Sequence, residues 1–125
     1  MSTPYRHAQS SVKKHGGDIL DYMFIHNWFD ETKIVCGDNR HRALRHHTFG
    51  IFEAQKKFGD TIQLSSGKHI PVRIIAEQHV REDCLYLPTP MDYLSKMAMQ
   101  PFINTSRRDQ ELAMEETQSS VHDDR

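Results

Sequence analysis

"DNRHRALRHHTFGIFEAQKKFG", residues 38–59, decides the fold of this 125-residue chain. Its spacing predicts one continuous helix. Asp38 or Asn39 caps the start, and Gly59 ends it after Lys56 and Lys57, basic residues that suit a helix C-terminus. On a helical projection Leu44, Ile51, Phe52 and Gln55 fall on one side. His41 sits on that apolar side, next to Thr48 and Phe52. His46 is expected opposite, near Arg42 and Glu53, and His47 beside Ile51 and Phe58.

The flanking segments extend the helical reading. "STPYRHAQSSVKKHGG" (2–17) predicts a first helix, with Thr3 as cap, Pro4 at the first helical position and Gly16-Gly17 as the stop. "DILDYMFIHNWFDETKIVC" (18–36) repeats Ile19, Tyr22, Met23, Ile25, Phe29 and Ile34 at helical intervals. "TIQLSSGKHIPVR" (61–73) instead alternates around Ser-Ser-Gly-Lys, which predicts a short β-hairpin whose second strand, carrying Pro71, is an edge. "IIAEQHVREDCLYL" (74–87) returns to helical spacing and Pro88 breaks it. Thr89-Pro90 then caps a last helix, "MDYLSKMAMQPF" (91–102). The expected fold is mainly α: a compact helical bundle with one β-hairpin near 61–73, forming a single domain over 1–103. Residues 104–125 are read as a polar, disordered tail, because apolar residues almost vanish there.

Composition narrows the function. A formal net charge of −1 argues against coating nucleic acid through bulk electrostatics, so any anion recognition has to be local. Cys36 and Cys84 form no C-x-x-C pair and no disulfide framework, which fits a reducing cytoplasm. The first residues lack the apolar core of a signal peptide, and no apolar run approaches membrane-spanning length. Histidine is the outlier. Nine among 125 residues, spread from His7 to His122, is well above a usual frequency of roughly 2%.

Two matching pairs stand out: His26 and Asp30 in "HNWFD", and His79 and Asp83 in "HVRED". On a helix, positions i and i+4 share a face, so each pair offers an imidazole and a carboxylate to one point. Helical bundles build metal sites in this way, from ligands projecting off facing helices. With His41 on the third helix and His7 on the first, four helices each present a histidine. Mixed imidazole and carboxylate ligation suits a divalent transition metal: zinc, iron, manganese or nickel. The competing reading is that each aspartate merely orients a histidine ring. Several histidines on apolar faces would, however, each need a buried partner, and one shared metal satisfies them together.

Arg40, Arg42 and Arg45 invite an anion site, since guanidinium binds phosphate bidentately; solvated pairing with Asp38 and Glu53 is the plain alternative. Phe24, Trp28, Phe29, Phe49, Phe52 and Phe58 are expected in the core. Cys84 reads as a small buried hydrophobe or a further ligand. Ser10 and Ser11 make no recognisable nucleophile arrangement.

"HAQSSVKKHGG", "IHNWFDETK", "NRHRALRHHTFGIF" and "IAEQHVREDCLYLPTPMDYL" together resemble a family of small, His-rich, uncharacterised proteins of bacteria and tailed phages. The likeness runs over about residues 6–95. It rests on His7, Gln9, Ser10, His26, Phe29, Asp30, Arg40, His41, Arg42, His46, Phe49, Gly50, Glu77, His79 and Asp83, and less on Arg45 and His47. The resemblance implies a cytoplasmic protein of a bacterium or phage-infected host, and no reaction. The residues lead to a metal-binding domain, expected to be a metal-dependent hydrolase of a phosphoester or nucleotide. His7, His26, His41, His79 and Asp83 are the expected ligands, His46 and Asp30 the expected catalytic residues (His46 as acid/base or further ligand, Asp30 as ligand or orienter of an imidazole), and Arg40 and Arg42 the holders of a phosphate-bearing small molecule. The alternative is a non-catalytic accessory protein binding a host protein or nucleic acid, its histidines forming a buried polar network.

Overall fold

Thr3 accepts a hydrogen bond from the Arg6 backbone N–H, Pro4 occupies the first turn, and Gly16 closes the helix at φ +84°. These are the start and stop signals of α1, Pro4–His15, whose inner face buries His7, Ala8 and Ser11. The computed structural model describes residues 3–105 together with Leu112, Met114 and Glu115. Most of the tail expected over 104–125 therefore lies outside the described residues.

The segment 18–36 is less uniform than its periodicity predicts. A 3-10 turn (Ile19–Asp21) leads into α2, Met23–Asp30, and a second 3-10 turn follows over Glu31–Ile34. Tyr22, Ile25 and Phe29 are buried as the repeat requires, but Ile34 lies beyond the α-helix and is exposed. Each large apolar side chain so buried stabilises the fold by about 1.5–3 kcal/mol.

The stretch 38–59 departs most from expectation: it is not one helix. Asn39–His41 form a 3-10 turn, α3 spans only Arg42–Arg45, and α4 begins anew at Thr48 and runs to Phe58. His46 leaves helical geometry at ψ 65°, and His47 is fully extended at φ −159°, ψ 174°. Two contacts hold the break open. His47 Nδ1 accepts from the Gly50 N–H at 2.9 Å and so caps α4. The Thr48 N–H donates to the Pro88 carbonyl at 2.8 Å. Gly50 is required by the tight approach of the two helices, because a Cβ there would fall 1.8 Å from the Arg45 carbonyl oxygen. The break also turns the outer face of α4 to solvent. Phe52, expected on the apolar side, and Phe49, expected in the core, are about half exposed on α4, as are Leu44 on α3 and Phe24 on α2, whereas Trp28 and Phe29 are core.

The hairpin forms as predicted, with β1 (Thr61–Gln63) antiparallel to β2 (His69–Pro71) and Ile62 opposite Ile70. It leads directly into α5, Val72–Cys84, which buries Val72, Ile75, Ala76, Gln78, His79 and Val80. After Pro88, α6 is a short helix, Pro90–Leu94, with a capping box between Thr89 and Asp92 in place of the longer helix expected. Tyr93 on α6 donates to the His46 carbonyl at 2.8 Å and so ties α6 to the break. Among the described residues the architecture is six α-helices and a two-stranded hairpin, a mainly helical bundle. The described residues divide after Ser95 into two units; the described part of the second holds turns, where the Asn104 N–H bonds to Gln100 and Pro101, and helical backbone at Leu112, Met114 and Glu115.

Candidate metal centre

Three segments distant in sequence meet in the interior. Asp30 is the last residue of α2, His46 stands in the α3–α4 break, and His79 and Asp83 lie one turn apart on α5. One ligand atom from each of the four lies within 4.8 Å of the other three. His46 Nε2 is 3.1 Å from Asp83 Oδ2 and 3.6 Å from Asp30 Oδ1. His79 Nε2 is 3.2 Å from Asp83 Oδ2 and 3.4 Å from Asp30 Oδ1. A tetrahedral site with bonds of about 2.0–2.2 Å has ligand–ligand edges of roughly 3.3–3.6 Å, close to these separations, so the four side chains could hold a metal ion. Both imidazoles are fully buried, and the Asp30 and Asp83 side chains are only 8% and 4% exposed.

Several polar atoms here are buried without a hydrogen-bond partner: His79 Nε2, His46 Nδ1, Asp30 Oδ2, His41 Nε2 and Arg42 Nε. Such atoms are rare because each costs its full desolvation. Three of them, on His79, His46 and Asp30, belong to the group of four side chains that could hold a metal ion.

A second layer holds the four in place. His7 Nε2 lies 3.1 Å from Asp83 Oδ1 and His7 Nδ1 2.7 Å from Glu82 Oε1, so the ring bridges two carboxylates. Burial disfavours the His7 cation, but these carboxylates outweigh it and raise its pKa. Burial likewise pushes the Asp83 carboxyl up, yet hydrogen bonds from His46 and His7, with the His79 ring beside it, hold it well below the usual carboxylate range. His26 Nδ1 meets His79 Nδ1 at 2.9 Å, and His26 Nε2 meets Ser11 Oγ at 2.9 Å. Burial, with His79 and His7 beside it, depresses His26 to about 2, and burial lowers His46 to about 4. Two aspartates, with two imidazoles serving as neutral ligands, would offer a charge of −2 to a divalent ion.

The structure thus brings together four of the residues singled out from the sequence, and places the others around them. His7 and His26 stand one layer out, with both nitrogens of each already engaged. His41 is buried, with Nδ1 2.8 Å from Thr32 Oγ1 and its ring 5.3 Å from that of His46, outside the four-residue group. His46, expected on a solvent-facing side, is fully buried because the helix breaks beside it. Arg42, expected on the more exposed face, is only 18% exposed: it reaches Asp83, donating to its carbonyl at 3.2 Å and lying 3.8 Å from its carboxylate. Arg40 is at the surface, 84% exposed and paired with Asp38. Arg45 lies over the Trp28 ring and donates to Glu31. Cys84 is partly buried, with Sγ 3.7 Å from the Tyr93 hydroxyl. Sequence reasoning missed Glu82, Gln78 and Ser11 as supports. The signal available was position: Glu82 adjoins Asp83, and Ser11 follows His7 by one helical turn.

No helix among the described residues is long and apolar enough to cross a membrane. No curated protein and no solved structure matches the chain. The model of a family described as a domain of unknown function, DUF6915, matches residues 2–103, most of the chain, and the protein belongs to that family.

Proposed function

We propose that this domain binds one divalent transition metal through Asp30, His46, His79 and Asp83. The observation that carries the reading is His79 Nε2, which is fully buried, faces two carboxylate oxygens at 3.2 and 3.4 Å, and has neither as a hydrogen-bond partner. A cation between the three atoms accounts for that arrangement. Two nitrogen and two oxygen donors suit zinc, iron, manganese or nickel rather than calcium. Untagged protein purified without chelator should retain about one equivalent of metal per chain, and His79→Ala should retain less than a tenth of that. Wild-type protein that carries no metal, and shows no thermal shift with any of the four ions, would sink the site.

The finer reading is a metal-dependent hydrolase of a phosphoester, with a nucleotide as substrate class. Arg42 supports it: the guanidinium lies 3.8 Å from the Asp83 carboxylate, and its buried Nε has no hydrogen-bond partner, leaving a donor that an anion beside the four residues would satisfy. When bound, the metal would polarise the phosphoryl group and activate water. Asp30 retains a second oxygen, without a hydrogen-bond partner and 3.7 Å from Lys33 Nζ, able to take a proton there. Phosphodiesterase activity on a nitrophenyl phosphodiester that needs both metal and Arg42 is the expected result.

Burial favours a second reading. All four side chains are at most 8% exposed, as in structural sites whose coordination is closed. On that reading the domain is a non-catalytic accessory protein, and its partner, a host protein or nucleic acid, binds elsewhere. Metal-loaded protein with no activity on any phosphoester, yet with full metal content, would favour it.

A further inference from the structure

Ser11, on the buried face of α1, is surrounded by three polar groups. Its Oγ lies 2.9 Å from His26 Nε2, 2.8 Å from Gln78 Oε1 and 3.1 Å from the His7 carbonyl. A hydroxyl has one proton to give. The His7 carbonyl can only accept. The orientation of Gln78 is forced as well, because its Nε2 faces two acceptors, the His7 carbonyl at 3.0 Å and Glu82 Oε1 at 3.2 Å. Its Oε1 must therefore face Ser11 as an acceptor. The Ser11 proton is taken by one of these two oxygens, and the hydroxyl oxygen accepts from His26.

The consequence travels along the chain. His26 Nε2 carries a proton in order to donate to Ser11. Among the described residues no carboxylate is hydrogen-bonded to His26, and with its one proton on Nε2 its Nδ1 is the acceptor. The 2.9 Å contact between His26 Nδ1 and His79 Nδ1 then needs its proton on His79. That leaves His79 Nε2 bare, on the side facing Asp30 and Asp83.

We infer that Ser11 is a positioning residue that sets the tautomer of His79, two hydrogen bonds away, and presents a bare Nε2 to the candidate metal site before any ion arrives. The inference rests on the metal reading for its purpose, though not for its geometry. Metal-binding imidazoles are commonly fixed by a partner on the other nitrogen, and loss of such a partner typically weakens affinity about 10–100-fold. Here the partner is a second histidine, and the group that decides its direction is a serine on another helix.

In Ser11→Ala, His26 loses its acceptor. Its proton moves to Nδ1, where it donates to His79 Nδ1, and the His79 proton moves to Nε2, the metal-facing atom. Nitrogen-15 NMR of the chelator-treated protein reads both tautomers directly. The wild type should show His79 protonated at Nδ1 alone, and folded Ser11→Ala should show it at Nε2, with zinc affinity lowered about 10–100-fold. A wild-type His79 carrying a proton on Nε2 at neutral pH overturns the inference without recourse to any variant, as does Ser11→Ala with unchanged tautomer and affinity. The two readings fail separately. A bare Nε2 in wild-type protein that takes up no zinc, iron, manganese or nickel supports the tautomer and overturns the metal. Zinc uptake by protein with a protonated Nε2 overturns the role of Ser11 alone.

Discussion

At the scale of single residues, the two adjacent histidines of "RHH" have opposite tasks. His46 turns inward to the candidate centre, whereas His47 caps α4 through the Gly50 N–H. His46→Ala should abolish metal retention, because it removes one of four donors and leaves the aspartates facing each other. His47→Ala should keep the metal and lose a helix cap, about 0.5–2 kcal/mol of stability. Elemental analysis and a denaturant melt on each variant check both outcomes. Loss of metal from His47→Ala with retention in His46→Ala would mean that the break directs the wrong ring inward.

At the scale of elements, the α3–α4 break is what the sequence hid. Periodicity places side chains only while the helix continues, so a projection of 38–59 as one helix put His46 outside and Phe52 inside. The legible hint was Gly50, a residue that weakens a helix interior and often marks a close backbone approach. The candidate pairs fared unequally for a related reason. His79 and Asp83 share a face of unbroken helix and meet at one point. Asp30 joins them from the end of α2, while His26, one turn earlier, lies behind His79. The caps of α1, the hairpin and the core residues Tyr22, Ile25 and Phe29 were readable because they depend on local spacing alone. Gly50→Ala tests the break itself. The added methyl meets the Arg45 carbonyl, so stability should fall by about 1–3 kcal/mol or more, with metal content falling in parallel as His46 is displaced. A variant as stable as wild type would show that the helices can separate freely at this point.

At the scale of the whole molecule, a bound ion would tie α2, the break and α5 together. Binding to the folded state alone adds about 2.7 kcal/mol when free metal is a hundredfold above Kd. For a domain of this size that raises Tm by roughly 10–20 °C, which scanning calorimetry with zinc and with chelator measures. The region after the family match carries little apolar sequence, so truncation after Ile103 should leave both Tm and metal content unchanged. A lower Tm in the truncated chain would assign the last residues a part in the fold.

The near-complete enclosure of the four donors also bears on time. An ion cannot reach His79 or His46 by diffusion alone, since the rings are fully covered and the aspartates almost so. Entry then waits for a fluctuation that parts the side chains. Uptake by folded, metal-free protein should accelerate with zinc concentration only up to a ceiling, the rate at which the gate opens, and stopped-flow mixing would reveal that plateau. A rate that climbs linearly throughout would mean an open channel. Under a ceiling, an ion captured while the chain folds is held by a slow exit, and occupancy records the metal available at synthesis rather than the metal present later.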